Sequence, residues 1–217
     1  MTGCLEELGI ADDLVQAARA IGIRQPSPVQ QRGVPAIIAQ PRRDIILTAP
    51  SKTGRTVALV LGILQSINRT EHAVQAALLV PHRELVRETL RLVQSLAAPL
   101  PVVSHGMGLS LPYGEIGLGN DAKVIRGNGV QVVVSTPRHL AALMAREASS
   151  MSGVTMVVVD GVDEILSRND GEHVEAIKES LCFAHIQFVL VSISWSPEVR
   201  QLADRAGRDP VSIAVLR

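Results

Sequence analysis

The stretch VVVDGVDEIL, residues 157–166, indicates the fold of this chain more directly than any other. Three consecutive valines, a residue type that favours strands, lead straight into Asp160 and Gly161. A run that is apolar throughout is typical of a parallel strand buried on both faces. In open sheets of this kind, ligands bind beyond the carboxyl ends of the strands, where Asp160 stands. The stretch therefore predicts an α/β fold with a ligand site at that edge of the sheet.

Similar apolar runs alternate with longer amphipathic segments along the chain, as in a parallel sheet covered by helices. Strands are predicted at 44–49, 76–81, 101–105, 130–136, 154–160, 186–192 and 211–216. Helices are predicted at about 11–21 and 28–39, before the first strand, and over 82–98. The glycine-rich stretch 106–129 is interpreted as a surface loop with room for a short helix, and no chemistry is assigned to it.

Composition and charge narrow the classes of function. The chain has 217 residues, enough to bury a core, and its 21 basic residues balance 21 acidic ones. No overall basic field therefore indicates nucleic-acid binding, and any such contact has to be local. Aromatic residues make up only 2%, which argues against an RNA reader that stacks bases on aromatic rings. We expect one α/β unit over 1–217, with 1–40 as a helical appendage packed on the sheet.

The location predicted for the chain is intracellular, either cytoplasmic or nuclear. Its two cysteines, Cys4 and Cys182, are far apart and fit a reduced compartment better than a disulfide framework. No apolar run approaches the roughly 20 residues of a membrane span, and the first ten residues lack a signal-peptide pattern.

Several other side chains are given structural interpretations. Cys182 is predicted to be a small core residue, Asp170 a helix N-cap, and Trp195 a packed residue near the surface. Metal coordination is not expected from the scattered histidines, which are His72, His105, His173 and His185.

The segment APSKTGRT, residues 49–56, follows the first predicted strand and opens a helix. Such a turn directs backbone N–H groups and a helix N-terminus at an anion, which suits phosphate. Gly54 permits close approach of the backbone, Arg55 supplies positive charge, and the Thr56 hydroxyl could ligate a metal ion. The match to the phosphate-loop pattern is partial, because that pattern ends in Gly-Lys-Ser or Gly-Lys-Thr. Taken alone, the segment fits an ordinary strand-to-helix turn as well.

Six motifs in order resemble those of the DEAD-box RNA helicases. They are GIRQPSPVQ (22–30), APSKTGRT (49–56), PHREL (81–85), STPRHL (135–140), VVDGVDEIL (158–166) and VSISWSPEV (191–199). In that order they are similar to the Q motif, the Walker A loop, Pro-Thr-Arg-Glu-Leu, Thr-Pro-Gly-Arg-Leu, Asp-Glu-Ala-Asp and Ser-Ala-Thr. The resemblance spans residues 5–217. It implies the N-terminal RecA-like lobe of such a helicase, a three-layer α/β sandwich of the P-loop NTPase type.

The resemblance also implies a site for ATP and Mg²⁺. Gln30 would read the adenine edge, and Thr56 and Asp160 would hold Mg²⁺ if nucleotide binds. Asp163 would couple the nucleotide to the hydroxyls of Ser192 and Ser194. The loop residues expected around the phosphates are Ser51, Lys52, Thr53, Gly54, Arg55 and Thr56.

An RNA site is implied along the same edge. The residues expected to grip the RNA backbone are Arg83, Gly106, Thr136 and Arg138. An active enzyme of this family also needs a second RecA-like lobe, and this chain is expected to stop before it.

The departures from the family pattern fall on residues that carry chemistry. Gly161 stands in place of the glutamate that orients the attacking water, and Arg55 in place of the Walker A lysine. Lys52 replaces a loop glycine, and Leu5 replaces an aromatic that stacks on adenine. Because phosphoryl transfer depends on positioning and charge stabilisation, these changes together predict loss of ATP hydrolysis. The RNA motifs change as well, at His82, Arg138 and His139.

Three hypotheses follow from these observations. The first is an inactive lobe that acts as a scaffold for a protein partner or for RNA. The second is an ATP-dependent RNA helicase lobe that works together with a second lobe. The third is a module that senses nucleotide without turnover. A protein partner is expected, and RNA is a possible second one.

Overall fold

The computed structural model describes residues 3–109, 115–181, 186–206 and 210–215. The α-helices, α1 to α9, are Asp12–Ala20, Pro28–Ile38, Arg55–Ser66, Arg83–Ala97, Glu115–Gly127, Pro137–Glu147, Val162–Ser167, Gly171–Ser180 and Pro197–Ala206. The strands, β1 to β7, are Ile45–Thr48, Ala76–Leu79, Ser104–Gly106, Val132–Ser135, Met156–Asp160, Gln187–Ser192 and Val211–Ala214. Short 3-10 helices cover Leu5–Leu8 and Ala148–Met151.

The strands form one sheet in the order β3-β4-β2-β5-β6-β1-β7, and every pairing in it is parallel. β5, which ends in Asp160, lies at the centre between β2 and β6. Because the strands are parallel, their carboxyl ends meet along one edge, and the segments after them converge there. This architecture confirms the predicted fold class, a RecA-like parallel sheet with helices on both faces.

Two hydrophobic cores, one on each face, hold the helices to the sheet. Met156 and Val158 of β5 pack into one core with α1 to α4, and Val157 and Val159 pack into the other with α5 to α9. Successive side chains of a strand point to opposite faces, so a strand covered on both sides has to be apolar at every position. The apolar runs in the sequence have this cause.

The segment before β1 packs on the first of these cores. The 3-10 helix Leu5–Leu8, α1 and α2 contribute the fully buried side chains of Leu5, Leu14 and Val34 to it. α2 begins at a capping box, in which Ser27 accepts from the N–H of Gln30 while the Gln30 side chain accepts from the N–H of Ser27. None of the described helices is long and apolar enough to cross a membrane.

The strand predicted at 101–105 begins three residues later in the structure, at Ser104. The N–H of Val102 donates to Leu100 O, and that of Val103 donates to the Gln131 side chain, so neither joins a strand ladder. The ladder with β4 begins only at Ser104 and runs to Gly106. The other predicted strands are confirmed, each shortened by up to two residues at an end.

The interpretation of 106–129 as a surface loop was wrong over its second half. α5 occupies Glu115–Gly127, with Asp121, Ala122 and Ile125 buried. Three glycines lower the helix propensity of this segment, and burial against the second core outweighs that deficit. The core position predicted for Cys182 falls outside the described residues.

Candidate nucleotide and RNA site

The carboxyl edge of the sheet brings together segments that are far apart in sequence. The loop 50–54 follows β1, Pro81 follows β2, and Gly161 follows β5. A small cavity of about 130 Å³ lies between these segments, lined by Arg55, Thr56, Val80, Pro81, Leu85, Thr89, Asp160, Gly161 and Glu164. Pockets for nucleotide-sized ligands are usually several times larger, about 300–1,000 Å³. This cavity alone is therefore too small to enclose a nucleotide.

The loop after β1 is tight and internally bonded. Thr53 Oγ1 donates to Pro50 O at 2.7 Å, and α3 begins at Arg55 directly after Gly54, whose φ is +88°. Lys52 has a φ of +60°, a left-handed conformation that is uncommon for a residue with a side chain. Ser51 and Lys52 are exposed at its tip. The loop has the form of an anion cradle at a helix N-terminus, with a lysine at a strained position.

Gln30, predicted to read adenine, is engaged by the protein on both ends of its amide. Its Oε1 accepts from the N–H of Ser27 at 2.9 Å, and its Nε2 donates to Gly54 O at 3.3 Å. The residue is buried, with 4% of its surface exposed. A side chain at Gly54 would meet Gln30 Nε2 at 2.5 Å, so the glycine is required by this close approach. Gln30 thus ties α2 to the phosphate loop.

Arg55, predicted to lie at the phosphates, also turns toward its own loop. Its Nη1 donates to Ala49 O at 3.2 Å. The guanidinium thereby satisfies a carbonyl at the end of β1, on the side where a phosphate would enter. A planar guanidinium is bulkier than an ammonium group, and it does not reproduce the same contact geometry.

Asp160 and Thr56 form the polar centre of the cavity. Thr56 Oγ1 donates to Asp160 Oδ2 at 2.7 Å, while Asp160 Oδ1 is buried with no hydrogen-bond partner among the described residues. Burial raises the pKa of Asp160, partly opposed by the hydrogen bond from Thr56 and the positive charge of Arg55.

These two groups fit a magnesium ion. Mg²⁺ takes oxygen ligands and is usually bound through one or two carboxylates together with substrate phosphates. The buried, unpartnered oxygen of Asp160 beside a hydroxyl meets that requirement. When bound, the ion would neutralise charge on phosphate oxygens. Asp160 and Thr56 would hold it, directly or through water.

Gly161 occupies a backbone conformation that suits glycine. Its φ is +81° and its N–H donates to Val191 O at 3.0 Å, which fixes the residue at the start of α7. A Cβ at this position would lie 3.0 Å from Pro81 Cγ. The glycine therefore holds a conformation that a glutamate, the residue implied here by the family resemblance, would adopt only with strain.

Asp163 connects β5 to the end of β6. Its Oδ1 accepts from Ser192 Oγ at 2.8 Å and from the N–H of Ile193 at 3.1 Å. The contact expected between Asp163 and the hydroxyl of Ser192 is therefore present. Ser194 lies beyond it and is exposed.

The residues predicted to contact RNA lie along the same edge. Arg83, at the start of α4, donates to Leu109 O at 2.7 Å, and Thr136 stands half-buried just before α6. Gly106 is buried at the end of β3, where a Cβ would meet Leu109 at 2.7 Å. Arg138 is largely exposed, but its guanidinium pairs with Asp170 at 3.1 Å.

Asp170 uses its carboxylate to pair with Arg138 and not to cap a helix among the described residues. Asp170 stands at the N-cap position of α8 as predicted, yet its side chain caps no backbone group among the described residues. Its carboxylate is turned to Arg138 instead. Trp195 is partly buried and packs against the second core, in line with its interpretation.

One cluster was missed by sequence reasoning. Asp121 of α5 accepts from His105 Nε2 at 2.8 Å, from His139 Nε2 at 2.7 Å and from the N–H of Gly108 at 2.9 Å. Burial would raise the pKa of Asp121, but these hydrogen bonds hold it well below its ordinary value. Within the described ranges, no group of three metal-ligating side chains is arranged to hold a metal ion. No spacing in the sequence joins three residues so far apart.

The chain is similar in sequence to known proteins. A profile described as DEAD/DEAH box helicase matches residues 27–202. Eukaryotic initiation factor 4A-3 from Nicotiana plumbaginifolia is 31% identical over 211 residues, which cover 97% of this chain and 52% of that protein. This chain spans about half the length of the curated relatives it matches.

Solved structures agree in fold over nearly the whole chain. Dbp5 from S. cerevisiae bound to RNA and ADP BeF3 has a TM-score of 0.85 at 27% identity, covering 98% of this chain and 52% of that one. A Dbp5 variant bound to a Gle1 variant and IP6 has a TM-score of 0.86 at 27% identity, covering 99% and 53%. The match covers the half of those proteins that corresponds to their N-terminal RecA-like lobe. This chain therefore belongs to the DEAD/DEAH box helicase family.

Proposed function

We propose that this lobe does not hydrolyse ATP and that it acts as a scaffold for RNA or for a protein partner. The observation that carries the proposal is Gly161, the position at which the family resemblance requires a carboxylate. A glycine has no group that could orient or polarise an attacking water. Because phosphoryl transfer depends almost wholly on positioning and charge, this loss alone is expected to cost orders of magnitude in rate.

Three further features of the site support the proposed loss of ATP hydrolysis. Arg55 donates to Ala49 O, Lys52 carries its side chain from a left-handed position, and both ends of the Gln30 amide are bonded within the protein. The Arg55 guanidinium and the Gln30 amide would have to give up these hydrogen bonds before they could contact a nucleotide. Such rearrangement lowers the apparent affinity by the fraction of molecules that are competent to bind.

The choice of partners is supported by the relatives. Dbp5 has been solved with RNA, and a variant of it with a Gle1 variant. In this chain Arg83 and Thr136 stand at the carboxyl edge, where the family resemblance implies RNA. An RNA-binding or protein-binding role requires no turnover at the nucleotide site.

An active helicase lobe that works with a second lobe is the alternative candidate. It is favoured by the two intact polar contacts at the edge, Thr56 with Asp160 and Asp163 with Ser192. A lobe that binds Mg-nucleotide without hydrolysis is compatible with the same two contacts. These alternatives differ from the scaffold in turnover and in nucleotide affinity, and both can be measured.

Release of phosphate from ATP, with and without single-stranded RNA, tests the proposal. We expect the chain to show the same background rate as Asp160→Asn, with no stimulation by RNA. Asp204→Asn serves as the matched control, because Asp204 is exposed on α9, away from the cavity. RNA-stimulated release that disappears in Asp160→Asn but persists in Asp204→Asn would establish an active helicase lobe instead.

A further inference from the structure

α4 carries three arginines spaced one helical turn apart, Arg83, Arg87 and Arg91. Residues four apart advance about 6 Å along a helix, so the three side chains start along about 12 Å of its length. They fall within about 80° of its circumference. The buried side of α4 is formed by other residues, which are Val86, Thr89, Val93, Leu96 and Ala97. The arginines therefore form a stripe that leads away from the carboxyl edge.

Arg83 is engaged within the protein, but internal contacts do not account for the two outer arginines of this stripe. Arg87 and Arg91 are exposed, and neither guanidinium group makes an ion pair or hydrogen bond with any described residue. Like charges four residues apart destabilise a helix, whereas opposite charges at that spacing stabilise it. On α4 three pairs of like charge have that spacing, Arg83–Arg87, Arg87–Arg91 and Glu84–Glu88. Glu84 lies 3.0 Å from His82 Nδ1, so its charge is directed to the N-terminus of the helix and not to the stripe.

We infer that Arg87 and Arg91 extend the RNA surface from the edge of the sheet down α4, where they bind successive phosphates of a single strand. The inference rests on the proposed RNA binding at Arg83. The guanidinium group suits this task because its planar donors match phosphate oxygens. Because the chain as a whole has no net charge, attraction for phosphate requires a local cluster of positive side chains, such as this stripe. With so few aromatic residues, binding along the stripe does not depend on base stacking or base identity.

The double variant Arg87→Gln/Arg91→Gln tests the stripe. Its matched control is Arg146→Gln/Arg200→Gln, which removes two exposed arginines from α6 and α9. Binding of the chain to oligoribonucleotides of about 6 and about 12 nucleotides is measured by fluorescence anisotropy between 50 and 200 mM salt. The shorter strand spans only the sheet edge, and the longer one also reaches α4.

We expect the stripe variant to lose affinity for the longer strand only. Each phosphate contact contributes about 0.7 to the steepness of the fall of log K with log salt, so the loss of two contacts makes this slope shallower by about 1.4. The ratio of variant to wild-type Kd then shrinks about sevenfold between 50 and 200 mM salt. The control variant keeps the wild-type slope.

Two different results would overturn the inference, and they can be told apart. Equal slopes for the stripe variant, the control and the wild type, with both strands bound, would remove the stripe from the RNA surface but leave RNA binding at the edge. Failure of the wild type to bind either strand would refute the proposed RNA binding itself. Unchanged melting temperatures of both variants establish that neither result comes from misfolding.

Discussion

At Gly161 the absence of a side chain and the left-handed backbone conformation go together. The sequence identified the glycine as a departure from the family, but the φ of +81° and the contact with Pro81 are visible only in the structure. A residue with a side chain in this conformation costs roughly 1–2 kcal/mol. Restoring the glutamate is therefore a change of backbone as well as of chemistry.

The variant Gly161→Glu is expected to lower the free energy of unfolding by at least roughly 1–2 kcal/mol and to restore no ATP hydrolysis. Urea unfolding and phosphate release measure the two effects. Gly119→Glu is the control, since a Cβ there meets no other atom within 4 Å and its φ is ordinary. A Gly161→Glu protein with wild-type stability and RNA-stimulated hydrolysis would show that the position still accepts the family glutamate.

Burial of the Asp160 carboxylate carries a cost in stability. Burial raises its pKa, so the unfolded chain gives up this proton at a lower pH than the folded one. Stability is therefore lost as pH rises from the ordinary carboxyl pKa, about 4, through the raised folded value. A buried carboxylate with one unpartnered oxygen, kept at this cost, is typical of a functional site.

Asp160→Asn is accordingly expected to raise the urea midpoint at pH 7. The difference from wild type should close as the pH falls below about 4, where the carboxyl is protonated in both states. Asp204→Asn, at an exposed position, should leave the midpoint unchanged at every pH. An Asp160→Asn protein less stable than wild type at pH 7 would mean that the carboxylate stabilises the fold.

Among the elements, α5 shows where sequence reasoning fell short. Its three glycines made a loop the better interpretation, yet Ala122 and Ile125 pack into the second core. Asp121 further ties the helix to β3 and to α6 through His105 and His139. These contacts bring together residues that are distant in the chain, so local propensity could not reveal them. The central strands were predictable because β2, β4, β5 and β6 are buried at every residue and therefore apolar along most of their length.

Removing the Asp121 carboxylate tests how far it holds these elements together. Asp121→Asn replaces one acceptor oxygen by a donor facing a histidine N–H, and we expect a loss of about 1–3 kcal/mol in unfolding free energy at pH 7. Because the folded pKa of Asp121 is lowered, its contribution is present above the ordinary value of about 4 and is lost as pH falls through the folded value. The gap between variant and wild type in urea unfolding should therefore narrow below about pH 4. Equal stabilities at pH 7 would refute the linking role.

At the scale of the whole molecule, the parallel sheet and its two cores followed from the pattern of apolar runs. The motifs follow the strands in order, and the structure brings the segments after β1, β2 and β5 together at the carboxyl edge, since that edge depends only on strand direction. The hydrogen bonds of Gln30 and Arg55 around the loop 50–54 could not be predicted from the sequence, because they depend on how separate elements meet. We expect the affinity of the lobe for nucleotide to depend on these hydrogen bonds.

Thermal unfolding with Mg-ATP, Mg-ADP or single-stranded RNA measures that affinity. A ligand at a hundred times its Kd stabilises by about 2.7 kcal/mol, or roughly 5–10 °C in a domain of this size. For the scaffold we expect a shift with RNA and none with either nucleotide, because the loop is bonded to itself. Arg55→Lys, which removes the guanidinium contact with Ala49 O, should gain a shift with nucleotide, and Arg146→Lys should not. A wild-type shift with nucleotide, in the absence of hydrolysis, would instead identify a nucleotide-sensing lobe whose loop opens readily.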